Sequence, residues 1–441
     1  MKNVLVIDFD DSLSASIERL IREGICSLVD WFGDRPGCTL QPKRELKYSN
    51  LKSFKYQRYD KTVYDAVHAD FFQYFIFMNR KKKIYAKGYR FYDHLDFFNL
   101  YFQFFFNLLT KKKVDIVLFQ YLPHLGIDYI VYRIARELKL RTILCYQSLF
   151  PNRFFYVEDI EDFGTFETMR NRSTGEPTHI QLPHGFREEL FYMKKHGDRL
   201  RWGSPRGIKK LLNELKNKRS QLSAFLRYQK RLRRFITHQL DLSAPFVYFP
   251  LHLQPELTTS LLGGKYIDQA LAIEHLSELL PPDWYIYVKE NPKQTSEYLR
   301  GTGFFRRLAA IERVRMVPRE TDTYSLLEHC RFVATVTGTA GWEAIRGGKK
   351  VLVFGKAWYR SLPGAISYRP GIKLEEILAA PLRHEALEQE LSKIVTKMPT
   401  GVIDYDYRVM VPDFSEEENI RRVFQALSEI IFEPISKTKE R

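Results

Sequence analysis

The chain has 441 residues, with 69 Lys plus Arg against 53 Asp plus Glu, a formal net charge of +16. Hydrophobic residues make up 44% and aromatics 15%. That much apolar side chain excludes disorder for the bulk of the chain, and the length fits about two or three domains.

In chain order, residues 4–7 form a short buried-strand run. Residues 14–22 then read as a helix with Ile17, Leu20 and Ile21 on one face. The run at 4–7 is too short for the core of a signal peptide, so a cytosolic protein is expected. Cys26, Cys38, Cys145 and Cys330 are scattered without a CxxC pair, which excludes a disulfide scaffold and a cysteine zinc site. Segments 35–65 and 80–92 are basic and aromatic and fit no periodic pattern. Residues 97–109 are the most lipophilic stretch. Asn99, Gln103 and Asn107 interrupt it, and it is too short to span a bilayer.

A strand at 114–119, a helix at 127–138 and a strand at 142–146 follow. Continuous apolar strands alternating with helices predict a parallel sheet covered on both faces. Residues 155–240 look irregular first and helical later. The alternation restarts with a strand at 246–249, a helix at 267–280, and strands at 284–288 and 313–317. A helix at 323–328, a strand at 332–336, a helix at 341–346 and a strand at 350–354 complete a compact Rossmann-like domain. A closing helix at 416–431 carries Ile420, Val423, Phe424, Leu427 and Ile431 on one face. The expected fold is α/β with two Rossmann-like domains. The expected divisions are 1–170, a basic and largely helical connector at 171–243, a second domain at 244–415, and a crossing helix and tail at 416–441.

The basic excess is focused between Arg206 and Arg234, where eleven Lys and Arg face one acid, Glu214. Interleaved leucines suit basic helices with one apolar side. Two readings stand side by side: a solvated connector, or contact with an anionic membrane surface. No RNP, zinc-finger or KH signature accompanies the charge, so nucleic acid is not expected as a partner.

In open parallel sheets, ligands bind just beyond the carboxyl ends of the strands. Four polar loops punctuated by Pro or Gly fall at that edge of the second domain. Thr337-Gly338-Thr339-Ala340-Gly341 opens a helix, and its small residues let backbone N–H groups approach a phosphate at the positive end of the helix dipole. Glu343, one turn on, suits ribose hydroxyls or simply the dipole. Lys289-Glu290-Asn291-Pro292 offers a cation, an anion and an amide at a strand end. His252 and Glu256 flank Gln254 and Pro255 and suit acid/base work on a reacting group, or else a structural His and a capping Glu. Gly355-Lys356-Ala357-Trp358-Tyr359 is the fourth loop.

A rival signal lies at the N-terminus. Asp8-Phe9-Asp10-Asp11-Ser12 after a strand has the look of a haloacid-dehalogenase phosphohydrolase, whose mechanism needs magnesium, a later Lys and a further acidic pair at a strand end. Asp404 and Asp406 sit in an irregular tail segment and do not supply that pair from sequence.

The second half resembles the capsule polysaccharide synthesis family of glycosyltransferases, of GT-B architecture with two Rossmann-like domains facing a central cleft. The resemblance lies in Phe249-Pro250-Leu251-His252-Leu253-Gln254-Pro255-Glu256, in Lys289-Glu290-Asn291-Pro292, and in Thr337 to Ala344 leading to Gly348-Lys349-Lys350-Val351. It covers about residues 244–362. It is looser around Pro123-His124 and the helix at 127–138. The resemblance implies transfer of a sugar from a nucleotide donor, CMP-Kdo in some members, to a growing polysaccharide or glycolipid at the inner face of the plasma membrane. It maps Gln254, Pro255 and Glu256 to the reaction centre and the Lys289–Pro292 loop to the nucleotide. Where the family's second motif carries His, this chain has Asn291, which cannot hold a positive charge. Glu256 is the expected reacting carboxylate, with His252 as alternate. No metal and no cofactor are expected, because helix N-termini and Lys289, Lys356 or Arg360 can offset the leaving phosphate. A sugar-nucleotide epimerase of the same double-Rossmann shape, or a non-catalytic glycan- or membrane-binding scaffold, are the alternatives.

Overall fold

The structure is a computed structural model that describes residues 1–10, 12–33, 37–41, 56–80, 90–170, 179–183, 185–186, 226, 228, 230, 232–292, 294 and 300–434. It divides into two compact units, Met1–Thr178 with Ser392–Arg441, and His179–Leu391.

The first unit runs β1 (Lys2–Ile7), α1 (Ser14–Arg22), β2 (Cys26–Phe32), α2 (Lys61–His68), α3 (Phe71–Arg80), α4 (Phe91–Lys111), β3 (Ile116–Phe119), α5 (Ile127–Glu137), β4 (Arg141–Gln147) and β5 (Phe154–Val157). Its sheet has the order β2-β1-β3-β4-β5. All neighbours are parallel except β5, which pairs antiparallel with β4. Val4 to Ile7 and all of β3 are buried, as strands covered on both faces must be. The lipophilic stretch at 97–109 lies inside the 21-residue α4. Its polar interruptions serve as clamps: Asn99 accepts from the Tyr64 hydroxyl at 2.6 Å, and Asn107 donates to the Arg58 carbonyl at 3.2 Å. Among the described residues no helix is long and apolar enough to cross a membrane.

The second unit runs β6 (Phe246–Pro250), α6 (Leu257–Leu262), α7 (Gln269–Leu279), β7 (Tyr285–Lys289), α8 (Thr302–Ala309), β8 (Val314–Val317), α9 (Thr323–His329), β9 (Phe332–Thr335), α10 (Thr339–Arg346), β10 (Val351–Val353), β11 (Ala365–Ser367), α11 (Leu374–Ala379) and α12 (His384–Lys397), which reaches past the unit's last residue. Its six-stranded sheet has the order β11-β10-β9-β6-β7-β8, with every pair parallel. Crossing from β8 back past β7 and β6 to β9 makes a switch point between β6 and β9, where the carboxyl-edge loops diverge.

The chain then returns to the first unit. The closing helix α13 (Glu416–Phe432) is capped by Ser415, and Glu416, Glu417 and Glu418 favour its dipole. It packs on α1, where the Ser16 hydroxyl donates to the Ile420 carbonyl at 3.0 Å. Arg141, ion-paired with Glu158 at 2.6 Å, donates to the carbonyls of Ile431 and Glu433. Residues 392–415, expected with the second domain, group with the first unit because 400–404 hydrogen-bond to it through Asn152, Gln147 and Gln120. Of the connector expected at 171–243, residues 171–178, 184, 187–225, 227, 229 and 231 lie outside the described residues. Tyr228 and Leu232 are buried in the second unit's core, and Arg233 and Arg234 are exposed.

Candidate functional site

The four loops singled out from the sequence all leave the carboxyl edge of the second sheet. The structure ties the first two together through a residue the sequence reading missed, Arg300. Its Nε pairs with Glu290 at 3.0 Å, with both side chains almost fully buried. Its Nη1 donates to Gln254 Oε1 and its Nη2 to the His252 carbonyl, each at 2.5 Å. Glu290 also accepts from the Tyr228 hydroxyl at 2.7 Å and from the Asn291 N–H at 2.9 Å. Gln254 and Gln294 complete the link: the Gln254 main chain donates to and accepts from the Gln294 amide, at 3.1 and 2.9 Å. Gln254 and Glu290 therefore brace the site. Arg300 carries no local signal, since its partners come from positions 252, 254 and 290.

His252 is buried, and its ring faces the start of the third loop. Nε2 lies 2.9 Å from Thr335 Oγ1 and accepts the N–H groups of Val336 and Thr337 at 3.1 and 3.3 Å. An Nε2 that accepts from backbone is unprotonated. Burial first, and the Arg300 charge second, push the imidazole down to about 3. The ring nitrogen that base chemistry needs is occupied, so His252 positions the β9–α10 loop and is not an alternate to Glu256.

A testable consequence follows from that neutral ring. An unfolded His titrates near 6.5, so the folded state binds fewer protons below that pH and stability falls on acidification. Between about pH 6 and pH 4 the wild type should lose about 1.4 kcal/mol more per pH unit than His252→Gln. Parallel slopes in denaturant titrations of the two proteins would show that the ring is protonated in the fold.

Lys289 is also buried. Its ammonium donates to the Thr321 carbonyl at 2.5 Å and to Thr323 Oγ1 at 2.8 Å, and burial pulls its pKa down against the charges of Asp322 and Glu320. Both acceptors belong to the stretch that follows β8, on the far side of β6 and β7 from β9. The ammonium expected to offset phosphate charge thus holds the start of α9. Asn291 is half-buried, and its carbonyl accepts from the Gln294 N–H and from Arg319. Pro292 is exposed, and its carbonyl also accepts from Arg319.

The third loop has the geometry of an anion cradle. Gly338 precedes the first turn of α10 and supplies no side-chain cap. A Cβ on Gly338 would lie 2.8 Å from His252 Cε1, and one on Gly341 would lie 2.1 Å from the Tyr359 hydroxyl. A side chain at either position would force these neighbours to shift. That hydroxyl donates to the Gly338 carbonyl at 2.5 Å and holds the turn. The Thr337 N–H donates to His252, that of Gly338 to Thr335 Oγ1 at 3.3 Å and that of Gly341 to the Gly338 carbonyl at 3.0 Å, which leaves the N–H groups of Thr339 and Ala340 to face an anion in the first turn. Thr339 is exposed and Ala340 half-buried. Thr337 is buried, and its hydroxyl has no hydrogen-bond partner among the described residues. Glu343 is buried on the inner side of α10, where its charge helps to raise the phenols of Tyr248 and Tyr359 after burial itself.

Glu256 behaves differently. It is exposed, occupies the position before α6 and makes no capping hydrogen bond with its side chain; Thr258 Oγ1 lies 3.4 Å from its Oε2.

At the first unit's carboxyl edge, Asp8 and Phe9 take left-handed φ values of 63° and 62°. Gln120 accepts from the N–H groups of Phe9 and Asp10 and donates to the Ile403 carbonyl, which brings Asp404 and Asp406 to the same edge. The charges of Asp404, Asp10, Asp8 and Asp406 add to burial in raising the Tyr121 phenol. The tail acids discounted in the sequence are thus at a strand end. Even so, no group of three His, Cys, Asp or Glu among the described residues is placed to hold a metal ion. Near this edge the Asp128 carboxylate fixes the turn before α5, accepting the His124 and Leu125 N–H groups at 2.7 Å each.

Two Rossmann-like units, each a largely parallel sheet with helices and with loops gathered at the carboxyl edge, make up an α/β fold. Within it, residues 206–369 match the family described as capsule polysaccharide biosynthesis protein. No curated protein matches the chain in sequence. Among solved structures, the Thermosulfurimonas dismutans KpsC beta Kdo 2,7 transferase is 12% identical, with 64% of this chain and 77% of that chain covered and a TM-score of 0.31. The KpsC beta Kdo 2,4 transferase of the same organism is 16% identical over 62% and 78%, also at 0.31. A UDP-GlcNAc 2-epimerase from Methanocaldococcus jannaschii is 10% identical over 90% and 99%, at 0.26.

Proposed function

We propose that the protein is a glycosyltransferase that moves a sugar from a nucleotide-sugar donor, CMP-Kdo or a related compound, to a capsular or other surface polysaccharide or glycolipid. The observation that carries this reading is the cradle at Thr337–Gly341, which lies within the segment matched by the capsule family. Two glycines, where a Cβ would crowd His252 and Tyr359, shape a helix N-terminus beside a buried hydroxyl that has no partner among the described residues. The donor diphosphate or monophosphate sits there. Lys356 and Arg360, which follow the neighbouring strand β10, balance its charge in place of Lys289. Glu256 is the carboxylate that acts on the acceptor hydroxyl, and the first unit binds the acceptor.

Thr337→Val tests the cradle with two readouts of opposite sign. Removing an unpartnered buried hydroxyl should raise the unfolding free energy by about 1 kcal/mol. Donor binding should weaken about tenfold if the hydroxyl donates to phosphate. Calorimetry against CMP-, UDP-, GDP- and CDP-linked sugars reads the second quantity, and unchanged affinity for every bound donor would remove the cradle from the site. Product analysis separates the epimerase: it converts donor without any acceptor.

A further inference from the structure

The brace on the Gln254–Glu256 loop has a far end outside the loops themselves. Tyr228 falls in the stretch expected as a connector, 62 residues before Glu290, yet it is 2% exposed and buried in the second unit's core. Its ring centroid lies 5.9 Å from that of Phe305, on which Phe235 stacks at 5.8 Å. The Thr237 N–H donates to the Met316 carbonyl at 2.8 Å. Tyr228, Phe235 and Thr237 are thus anchored on α8 and β8. The Tyr228 hydroxyl donates to Glu290 Oε2 at 2.7 Å. Burial first, and the Glu290 charge second, push the phenol up, so it stays protonated and remains a donor.

Arg300 divides its donors between two duties. Its Nε lies 3.0 and 3.3 Å from the two Glu290 oxygens, while both Nη groups reach the loop at Gln254 Oε1 and the His252 carbonyl. A guanidinium and a carboxylate left to themselves favour two parallel bonds, which would draw in one Nη as well. Here the Tyr228 hydroxyl and the Asn291 N–H fill the remaining acceptor positions of Glu290, and both Nη groups stay with the loop. Without the hydroxyl, a buried carboxylate keeps an unfilled acceptor position, which costs free energy until a donor reaches it. The donor at hand is Arg300, and its turn toward Glu290 withdraws an Nη from the loop. We propose that Tyr228 is a positioning residue for the transfer reaction: its hydroxyl fixes how Arg300 divides between Glu290 and the loop that carries Glu256. Tyr228 touches no substrate, and its role rests on the reading of Glu256 as the reacting carboxylate.

The test uses the full chain. Tyr228→Phe removes the hydroxyl and keeps the ring. Turnover should fall about tenfold and donor affinity change less than about twofold, since the lost bond serves the loop and not the cradle. In a Glu256→Gln background the same substitution should cost nothing further, because a residue that acts through the carboxylate then has nothing left to position. Phe235→Leu loosens the same anchor without touching Glu290 and should leave turnover at the wild-type level. Hydrogen exchange reads the loop without any reaction: amides between His252 and Leu257 should exchange about tenfold faster in Tyr228→Phe, while those of α11 keep the wild-type rate. Where Glu256→Gln is impaired, wild-type turnover in Tyr228→Phe would overturn the proposal. So would a loss of the same size in the wild-type and Glu256→Gln backgrounds, or an equal loss in Phe235→Leu, each of which would make Tyr228 a packing residue only. Full activity in Glu256→Gln would instead remove the reading of Glu256. Exchange then decides alone: faster loop exchange upholds the hydroxyl's hold on the loop, and unchanged exchange overturns it.

Discussion

Replacing Arg300 by alanine is expected to lower the stability of the second unit by about 3–5 kcal/mol. The guanidinium and the Glu290 carboxylate are both almost fully buried, and removing one leaves the other charged without a partner. The loss also frees the Gln254 amide and the His252 carbonyl, so the two loops at the ends of β6 and β7 lose their common brace. Denaturant unfolding of the purified variant measures the effect. Arg300→Met combined with Glu290→Gln should recover part of it, because no charge is then left buried. A loss under about 1 kcal/mol for Arg300→Ala would mean that water reaches the pair and that the network is not a brace.

Substituting Gln for Glu256 is expected to reduce turnover by about two to four orders of magnitude, the range for a positioned acid or base. Donor affinity should hardly change. The side chain is exposed and makes no capping hydrogen bond at the start of α6. A transfer assay beside donor calorimetry separates the two quantities. Wild-type turnover in Glu256→Gln would assign the chemistry to another group, and weakened donor binding would move Glu256 into the donor pocket. The same pair of measurements on Lys289→Ala, with denaturant unfolding beside them, should show reduced stability, because the ammonium holds the Thr321 carbonyl and the Thr323 hydroxyl.

Several elements were legible because their signal is local. β1, β3, β6 and β9 are short continuous apolar runs, as strands buried on both faces must be, and α1 and α13 show one apolar stripe. The repeated alternation of such runs with helices is enough to name two Rossmann-like units. Tertiary structure decided the rest. β2 escaped notice because Ser27 and Asp30 break its apolar pattern at a sheet edge, and β5 because it pairs antiparallel among parallel strands. α2, α3 and the start of α4 are rich in aromatics with no clear spacing, so they show no period that separates core from surface.

At the candidate site, sequence alone placed four loops at one sheet edge, since strand order and loop composition are local properties. It could not assign duties within them. Lys289 and His252 look like a phosphate cation and a base because residue type suggests chemistry. Their actual partners, the stretch after β8 and the N–H groups after β9, are 32 to 85 residues away in the chain. Arg300 was invisible for the same reason, its acceptors lying 10, 46 and 48 residues upstream. A side chain's role is set by which groups surround it once water is excluded, and that neighbourhood exists only in the folded chain.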